Sequence, residues 1–159
     1  MMIYVFSGDV QSAKTTRLLN WCNGRKNIAG ILTPVIDQKR YFLNVLSGEK
    51  MLMEAPKEER NVQAIGRFVF SSDAFVWAEK ILADAMDSDA ELIVIDEIGP
   101  LELQGKGFHN ILLRLLESNI KNLLLVVRSS KLEEVIANYN LHQHTLKVIS
   151  DPEKELPAF

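Results

Sequence analysis

The sequence predicts an α/β fold: a mostly parallel sheet flanked by helices, with an antiparallel β-rich addition over about residues 28–70. Three observations predict it. Continuous apolar runs of strand length occur at Met2 to Phe6, Leu92 to Ile95 and Leu123 to Val127, the texture of strands buried on both faces. Amphipathic helical stretches separate them, and this alternation is how parallel sheets with right-handed crossovers are built. Between Ile28 and Phe70 the pieces are shorter, β-rich and divided by hairpin-length turns, which points to antiparallel pairing.

The elements follow in order. Met2 to Phe6 is a strand that ends at Ser7 and Gly8. After a polar stretch, Lys14 to Trp21 reads as helix, with Leu18, Leu19 and Trp21 apolar and Gly24 past its end. Ala29 to Ile36 reads as one strand, Asp37 to Lys39 as a turn, Tyr41 to Leu46 as a second strand, Ser47 and Gly48 as a turn, and Met51 to Met53 as a third piece. Pro56 and the charges between Ala55 and Asn61 mark a loop, and Val62 to Phe70 reads as a further strand. Ser72 or Asp73 is placed to cap a helix carrying Phe75, Ala78, Ile81, Leu82 and Ala85. Leu92 to Ile95 is a strand ending in Asp96 and Glu97, and Phe108, Ile111, Leu112 and Leu115 mark a helix. Leu123 to Val127, Lys131 to Asn138 and Leu146 to Ile149 complete the pattern as strand, helix and strand.

Composition narrows the function classes. The chain has 159 residues, 47% hydrophobic, 18 basic against 21 acidic, and one cysteine, which fits a single domain over 1–159 able to bury a core without disulfides or structural metal. Cys22 has no internal partner and no leader follows Met1, so a reduced, cytoplasmic protein is expected. No run approaches the roughly 20 residues of a membrane span. A net charge of −3 argues against a broad nucleic-acid surface.

Gly8-Asp9-Val10-Gln11-Ser12-Ala13-Lys14-Thr15 matches the phosphate-loop pattern G-x-x-x-x-G-K-[ST] except that Ala13 replaces glycine. In such a loop consecutive N–H groups and a helix N-terminus surround a phosphate, a lysine such as Lys14 bridges the outer phosphates, and a hydroxyl such as that of Thr15 ligates Mg²⁺. The relaxed pattern arises by accident in roughly one chain of this length in a hundred; its place between a buried strand and a helix makes it specific. Ala13 costs little if its backbone is right-handed, and about 1 to 2 kcal/mol if φ is positive.

Leu92-Ile93-Val94-Ile95-Asp96-Glu97 is the Walker B pattern, apolar residues followed by two carboxylates. Parallel strands end on one edge, so the pair should stand beside the phosphate loop. Asp96 is the candidate Mg²⁺ ligand and Glu97 the residue that orients or deprotonates an attacking water. A transferring phosphoryl group calls for a further cation. Among the seven arginines, Arg128 follows a strand toward the same edge, with Ser129 and Ser130 beside it, and Arg40 and Arg67 sit in the β-rich addition. Arg17 and Arg114 fall within helices and read as solvated.

These residues resemble the cancer-related nucleoside-triphosphatases, the THEP-type family of P-loop proteins. Gly8, Lys14, Thr15 and Thr16 match its glycine-rich loop, while Gln11 and Ala13 stand where family glycines would be. Gly30-Ile31-Leu32-Thr33 with Lys39-Arg40, and Ile65-Gly66-Arg67-Phe68, resemble two further stretches. Most specific is Ile95-Asp96-Glu97-Ile98-Gly99-Pro100-Leu101-Glu102-Leu103 followed by Phe108. The resemblance implies a RecA-like P-loop fold, slow Mg²⁺-dependent hydrolysis of nucleoside triphosphates, ATP and GTP among them, and a role for Glu102 beyond that of a surface carboxylate.

The expected site therefore comprises Gly8 to Thr16 for the nucleotide, Thr15 and Asp96 for Mg²⁺, and Lys14, Glu97 and one of Arg128, Arg40 and Arg67 for catalysis. Two other functions compete: a small-molecule or nucleotide kinase, which needs an acceptor pocket, and a nucleotide-gated binding module with little turnover. The chain length leaves little room for a separate substrate domain, which favours water as acceptor. His142 and His144 would share one face of a strand but lack further metal ligands. His109, Trp21, Trp77 and Cys22 read as packing or solvated residues, and Lys57 to Arg60 as a solvated loop.

Overall fold

A computed structural model describes residues 1–9, 13–54, 62–65 and 68–159. Val10, Gln11, Ser12, Arg67 and the loop from Lys57 to Arg60, all singled out above, lie outside the described residues. The elements run β1 (Met2–Gly8), α1 (Lys14–Cys22), β2 (Ile28–Leu32), β3 (Val35–Ile36), β4 (Lys39–Asn44), β5 (Lys50–Leu52), β6 (Val62–Ile65) and β7 (Phe68–Ser71). They continue with α2 (Ser72–Met86), β8 (Leu92–Asp96), α3 (Pro100–Leu103), α4 (His109–Glu117), β9 (Asn122–Arg128), α5 (Leu132–Asn138), β10 (Thr145–Ile149) and α6 (Pro152–Glu155).

The main sheet has the order β10-β1-β9-β8-β2-β4-β3, with β5 on β4. Its first five strands are parallel and β4 reverses direction against β2. Alternation along β1 sends Ile3 and Val5 to one face and Tyr4 and Phe6 to the other. Ile3 and Val5 join the larger core under α2, α4 and α5; Tyr4 and Phe6 join Leu18, Trp21 and Leu156 from α1 and the C-terminal segment. A sheet covered on both faces is why the central strands carry no polar alternation.

Several local expectations need correction. The predicted strand Ala29 to Ile36 is broken after Leu32: the Thr33 N–H is drawn to the Asp96 side chain, and Pro34 has no N–H to give a ladder. The turn beyond it is tight, with Asp37 and Gln38 both at positive φ, as two-residue hairpins require. Val62 to Phe70 is not one strand but an antiparallel pair, β6 with β7. Ser71, not Ser72 or Asp73, caps α2, its Oγ accepting from the Ala74 N–H at 3.2 Å. His142 lies in a 3-10 turn over Leu141–Gln143, with His144 just past it, so the two share no strand face.

Two elements went unread in the sequence, the single turns α3 and α6. Each begins with proline at its first position, where the missing N–H costs nothing. Arg17 is not merely solvated: it donates to the Ser150 carbonyl at 2.9 Å and pairs with Asp151 at 3.3 Å, tying α1 to the segment after β10. Arg114 is exposed, as expected. Trp21 and Cys22 are buried packing residues, and burial pushes the Cys22 thiol up to about 12.

Gly30 shows how closely the parallel strands approach. It pairs with Val94 at φ +130°, and a Cβ there would collide with the Val94 backbone carbonyl. Gly30→Ala should therefore destabilise the protein by about 2–4 kcal/mol, read as a lower urea midpoint at unchanged slope.

Candidate functional site

The site forms where four segments meet at the carboxyl edge of the sheet. β1 delivers Gly8, α1 starts at Lys14, β8 ends in Asp96, and β9 ends in Arg128. Because β9 lies between β1 and β8, its last residue enters between the other two: Gly8 stands in register with Arg128, and Asp96 with Val126. Topology, not local sequence, brings Lys14, Thr15, Asp96, Glu97 and Arg128 to one edge.

Asp96 is buried, with 2% of its surface exposed. Its Oδ2 accepts from the Thr15 hydroxyl at 2.6 Å and from the Thr33 N–H at 3.2 Å. Burial pushes its pKa above the usual carboxylate range and the neighbouring Glu97 charge adds to the rise, while the bonds from Thr15 and Thr33 oppose it. The expected pair Thr15 and Asp96 is thus in direct contact. Thr33 falls inside one of the stretches that resemble the family but was not among the expected site residues; its signal in the sequence is the Thr-Pro step that ends β2.

Lys14 is also buried, and its Nζ donates to the carbonyls of Gly8 at 3.0 Å and Asp9 at 2.8 Å. Its ammonium folds back onto the end of β1. Ala13, the residue before α1, has φ 57° and ψ 34° and offers α1 no side-chain cap. Of the two conformations weighed for alanine, the left-handed and costlier one is present. Thr16 is exposed on the first turn of α1, and Asp9 Oδ1 accepts from the Ser129 hydroxyl at 2.8 Å, linking the loop to the end of β9.

Glu97 is half-buried and pairs with Arg128, whose NH2 donates to Oε1 at 2.8 Å. Arg128 Nε is buried and meets no partner among the described residues. Of the three candidate arginines, Arg128 is brought to the acidic pair and Arg67 lies outside the described residues. Arg40 stands farther along β4 and shares with Glu97 and Arg128 only the wall of a cavity of about 290 Å³.

Glu102 is a structural clasp. It is 4% exposed; Oε1 accepts from the Gly99 N–H and Oε2 from the Phe108 N–H, both at 2.9 Å. One carboxylate thereby fixes both ends of the segment from Gly99 to Phe108. Tyr139 donates to the Glu102 carbonyl at 3.0 Å and lies 2.8 Å from His109 Nδ1, which gives His109 its structural place. Gly107 sits at φ +55°, and a Cβ there would strike Glu102 Oε2. Burial pushes the Glu102 carboxyl up to about 7; the Phe108 and Gly99 N–H groups oppose the rise and the Glu97 charge adds to it.

A strand, a loop and a helix beginning at Lys14, on a mostly parallel sheet flanked by helices, define an α/β P-loop NTPase fold. Structural comparison agrees. The crystal structure of THEP1 from the hyperthermophile Aquifex aeolicus aligns at TM-score 0.69 and 19% identity, covering 98% of this chain and 92% of that one. The solution structure of a human cancer-related nucleoside triphosphatase aligns at TM-score 0.62 and 22% identity, over 94% and 87% of the two chains. At these identities the likeness concerns the fold.

The family described as NTPase matches residues 3–156, and the chain belongs to that family. Among curated relatives, a nucleoside-triphosphatase THEP1 of Hyperthermus butylicus is 36% identical over 80 residues, 50% of this chain and 41% of the relative. Another, of Sulfolobus acidocaldarius, is 34% identical over 92 residues, 57% and 51% of the two. The chain spans about half the length, or less, of the curated relatives it matches.

Two predictions follow from the backbone and from Glu102. Ala13→Gly relieves the left-handed strain but adds freedom to the unfolded chain, so it should stabilise the protein by up to about 1 kcal/mol, seen as a higher melting temperature. Glu102 has a folded pKa above its unfolded value of 4.5, so its contribution is fully present below about pH 4.5 and is lost as pH rises through about 7. Urea unfolding between pH 5 and 7.5 should show stability falling by roughly 2–3 kcal/mol through this group. Glu102→Gln should flatten that part of the profile while lowering stability at pH 5, because its NH₂ would face one of the two backbone donors.

Proposed function

We propose that this chain is a Mg²⁺-dependent nucleoside-triphosphatase that hydrolyses nucleoside triphosphates, ATP and GTP among them, to diphosphates and phosphate. The observation that carries the reading is the contact of Thr15 with a buried Asp96, set beside the Glu97–Arg128 pair at the edge where α1 begins. Membership of the NTPase family and the printed names of the curated relatives support it.

The residues fit the metal. The Thr15 hydroxyl and the Asp96 carboxylate are hard oxygen donors, and Mg²⁺ is held by one or two carboxylates together with phosphates and water, not by a cage of acidic side chains. Among the described residues no group of three or more His, Cys, Asp or Glu side chains is placed to hold a metal ion. When bound, Mg²⁺ neutralises charge that builds on the phosphates.

In this reading the loop from Gly8 to Thr16 receives the phosphates, with N–H groups from Gly8, Asp9, Val10, Gln11, Ser12, Ala13 and the start of α1 forming the nest. Lys14 exchanges the Gly8 and Asp9 carbonyls for phosphate oxygens. Glu97 accepts a hydrogen bond from the attacking water and takes its proton. Arg128 serves twice: paired with Glu97 it holds the carboxylate in place, and its guanidinium offsets charge on the transferring group. Arg40 and Arg67 are the alternatives for that second task.

We take the setting to be cytoplasmic, on the strength of one buried cysteine. No helix among the described residues is long and apolar enough to cross a membrane.

Phosphate release from Mg-ATP and Mg-GTP tests the reading. Glu97→Gln should lower kcat by about 10²- to 10⁴-fold with KM little changed, and Lys14→Ala should abolish saturable turnover. If Glu97→Gln turned over as fast as wild type, the role given to Glu97 would be wrong.

A further inference from the structure

The backbone that follows Glu97 is pinned twice. Ile98 is fully buried and its N–H donates to the Val126 carbonyl at 2.9 Å, which ties the chain to β9. One residue on, the Gly99 N–H donates to Glu102 Oε1 at 2.9 Å. Gly99 in turn faces the Glu97 side chain: a Cβ there would stand 3.7 Å from Glu97 Oε1, in ordinary contact. The same oxygen accepts from Arg128. Oε1 is therefore confined between the Arg128 guanidinium and the Gly99 backbone, whereas no described residue donates to Oε2.

Glu102 does more than cap the single turn α3. A capping glutamate needs one oxygen, for the N–H at the helix start. Glu102 commits its other oxygen to the Phe108 N–H, six residues along, and is 4% exposed. Gly107, at φ +55°, has no room for a Cβ because Glu102 Oε2 occupies that space. The carboxylate is thus held at both oxygens, and its place fixes the N–H groups that donate to it. Burying it is costly, and the nearby Glu97 charge adds to the cost by helping to push the Glu102 carboxyl up. An apolar side chain would fill the place at less cost, but it would leave the Gly99 and Phe108 N–H groups unmet.

We propose that Glu102 is a positioning residue for hydrolysis: through the Gly99 N–H it fixes the backbone against which the Glu97 carboxylate rests, and so sets the direction in which Glu97 Oε2 meets the attacking water. The inference rests on the role given to Glu97 above. Glu102, with both oxygens committed to backbone donors, takes no part in the chemistry itself. A reacting group misplaced by about 1 Å costs about 10²-fold in rate, so loosening one backbone bond beside Glu97 acts on turnover. Binding of nucleotide and metal is left alone, because Lys14, Thr15 and Asp96 are held by other groups.

The test follows phosphate release from Mg-ATP by the full chain. Glu102→Gln should lower kcat at least about tenfold while KM stays within about twofold of wild type. On a Glu97→Gln background the same substitution should cause no further loss, because the residue through which it acts is gone. Leu82→Ala, a truncation in the core under α2, is the control for general loosening: it should lower the urea midpoint and leave kcat unchanged. If Glu102→Gln does not fold, Glu102→Asp, which withdraws the carboxylate by one methylene, takes its place. An unchanged kcat in the Glu102 variant overturns the inference and leaves Glu97 its role. So does an equal fractional loss with and without Glu97, or a comparable loss in Leu82→Ala. Wild type that releases no phosphate, or that Glu97→Gln does not slow, overturns the role of Glu97 and this inference with it.

Discussion

The site depends on one buried carboxylate. Asp96 ends a strand covered on both faces, and a charged oxygen at that depth is costly unless donors meet it. Two do, the Thr15 hydroxyl and the Thr33 N–H. They come from the first turn of α1 and from the end of β2, so a single side chain joins the start of the helix, the end of β8 and the break in β2. The break itself follows: with its N–H committed to Asp96 and proline next, Thr33 cannot extend the sheet. The chain then leaves to form the hairpin of β3 and β4, which supplies Phe42 to the larger core. Satisfying one desolvated oxygen sets both the Thr15–Asp96 contact and the course of the chain beside it.

A second carboxylate does comparable work one segment later. Glu102 closes the stretch between β8 and α4 with two backbone bonds, and that stretch forms the wall of the cavity next to Glu97. The division of labour is physical. Asp96 receives one backbone N–H and one hydroxyl, while Glu102 takes only backbone donors and acts as a brace. Glu97, less deeply set, is half-exposed and hydrogen-bonded to Arg128.

Much of this was legible in the sequence because strands buried on both faces announce themselves as apolar runs, and parallel topology forces their ends onto one edge. Gly8, Asp96, Glu97 and Arg128 could be placed on one edge on that ground, Arg128 as one of three candidate arginines, and the phosphate-loop pattern added Lys14 and Thr15. What could not be read depended on long-range partners. Ala29 to Ile36 looks like one strand until Asp96 claims the Thr33 N–H. Ser72 or Asp73 reads as the cap until β7, running through Ser71, fixes the entry to α2. The single turns α3 and α6 are too short for periodicity to register. Glu102 drew attention only through a family resemblance, because nothing in its neighbours reveals that it will be buried. The cavity was invisible for a related reason: chain length argued against a substrate domain, but a pocket can be made from the flanks of a hairpin and a helix without one.

The insertion of β9 between β1 and β8 also bears on how the molecule assembles. Asp9 and Ser129, hydrogen-bonded just past the ends of β1 and β9, are 120 positions apart in the chain, and both partners of β1, β9 and β10, come from the far end of the chain. Pairings of such long range close late, after the loop entropy between them has been overcome. The edge where Gly8, Asp96 and Arg128 meet is therefore absent from any early intermediate built of local hairpins and helices. During refolding, the register of β1 against β9 should be among the last native features to return.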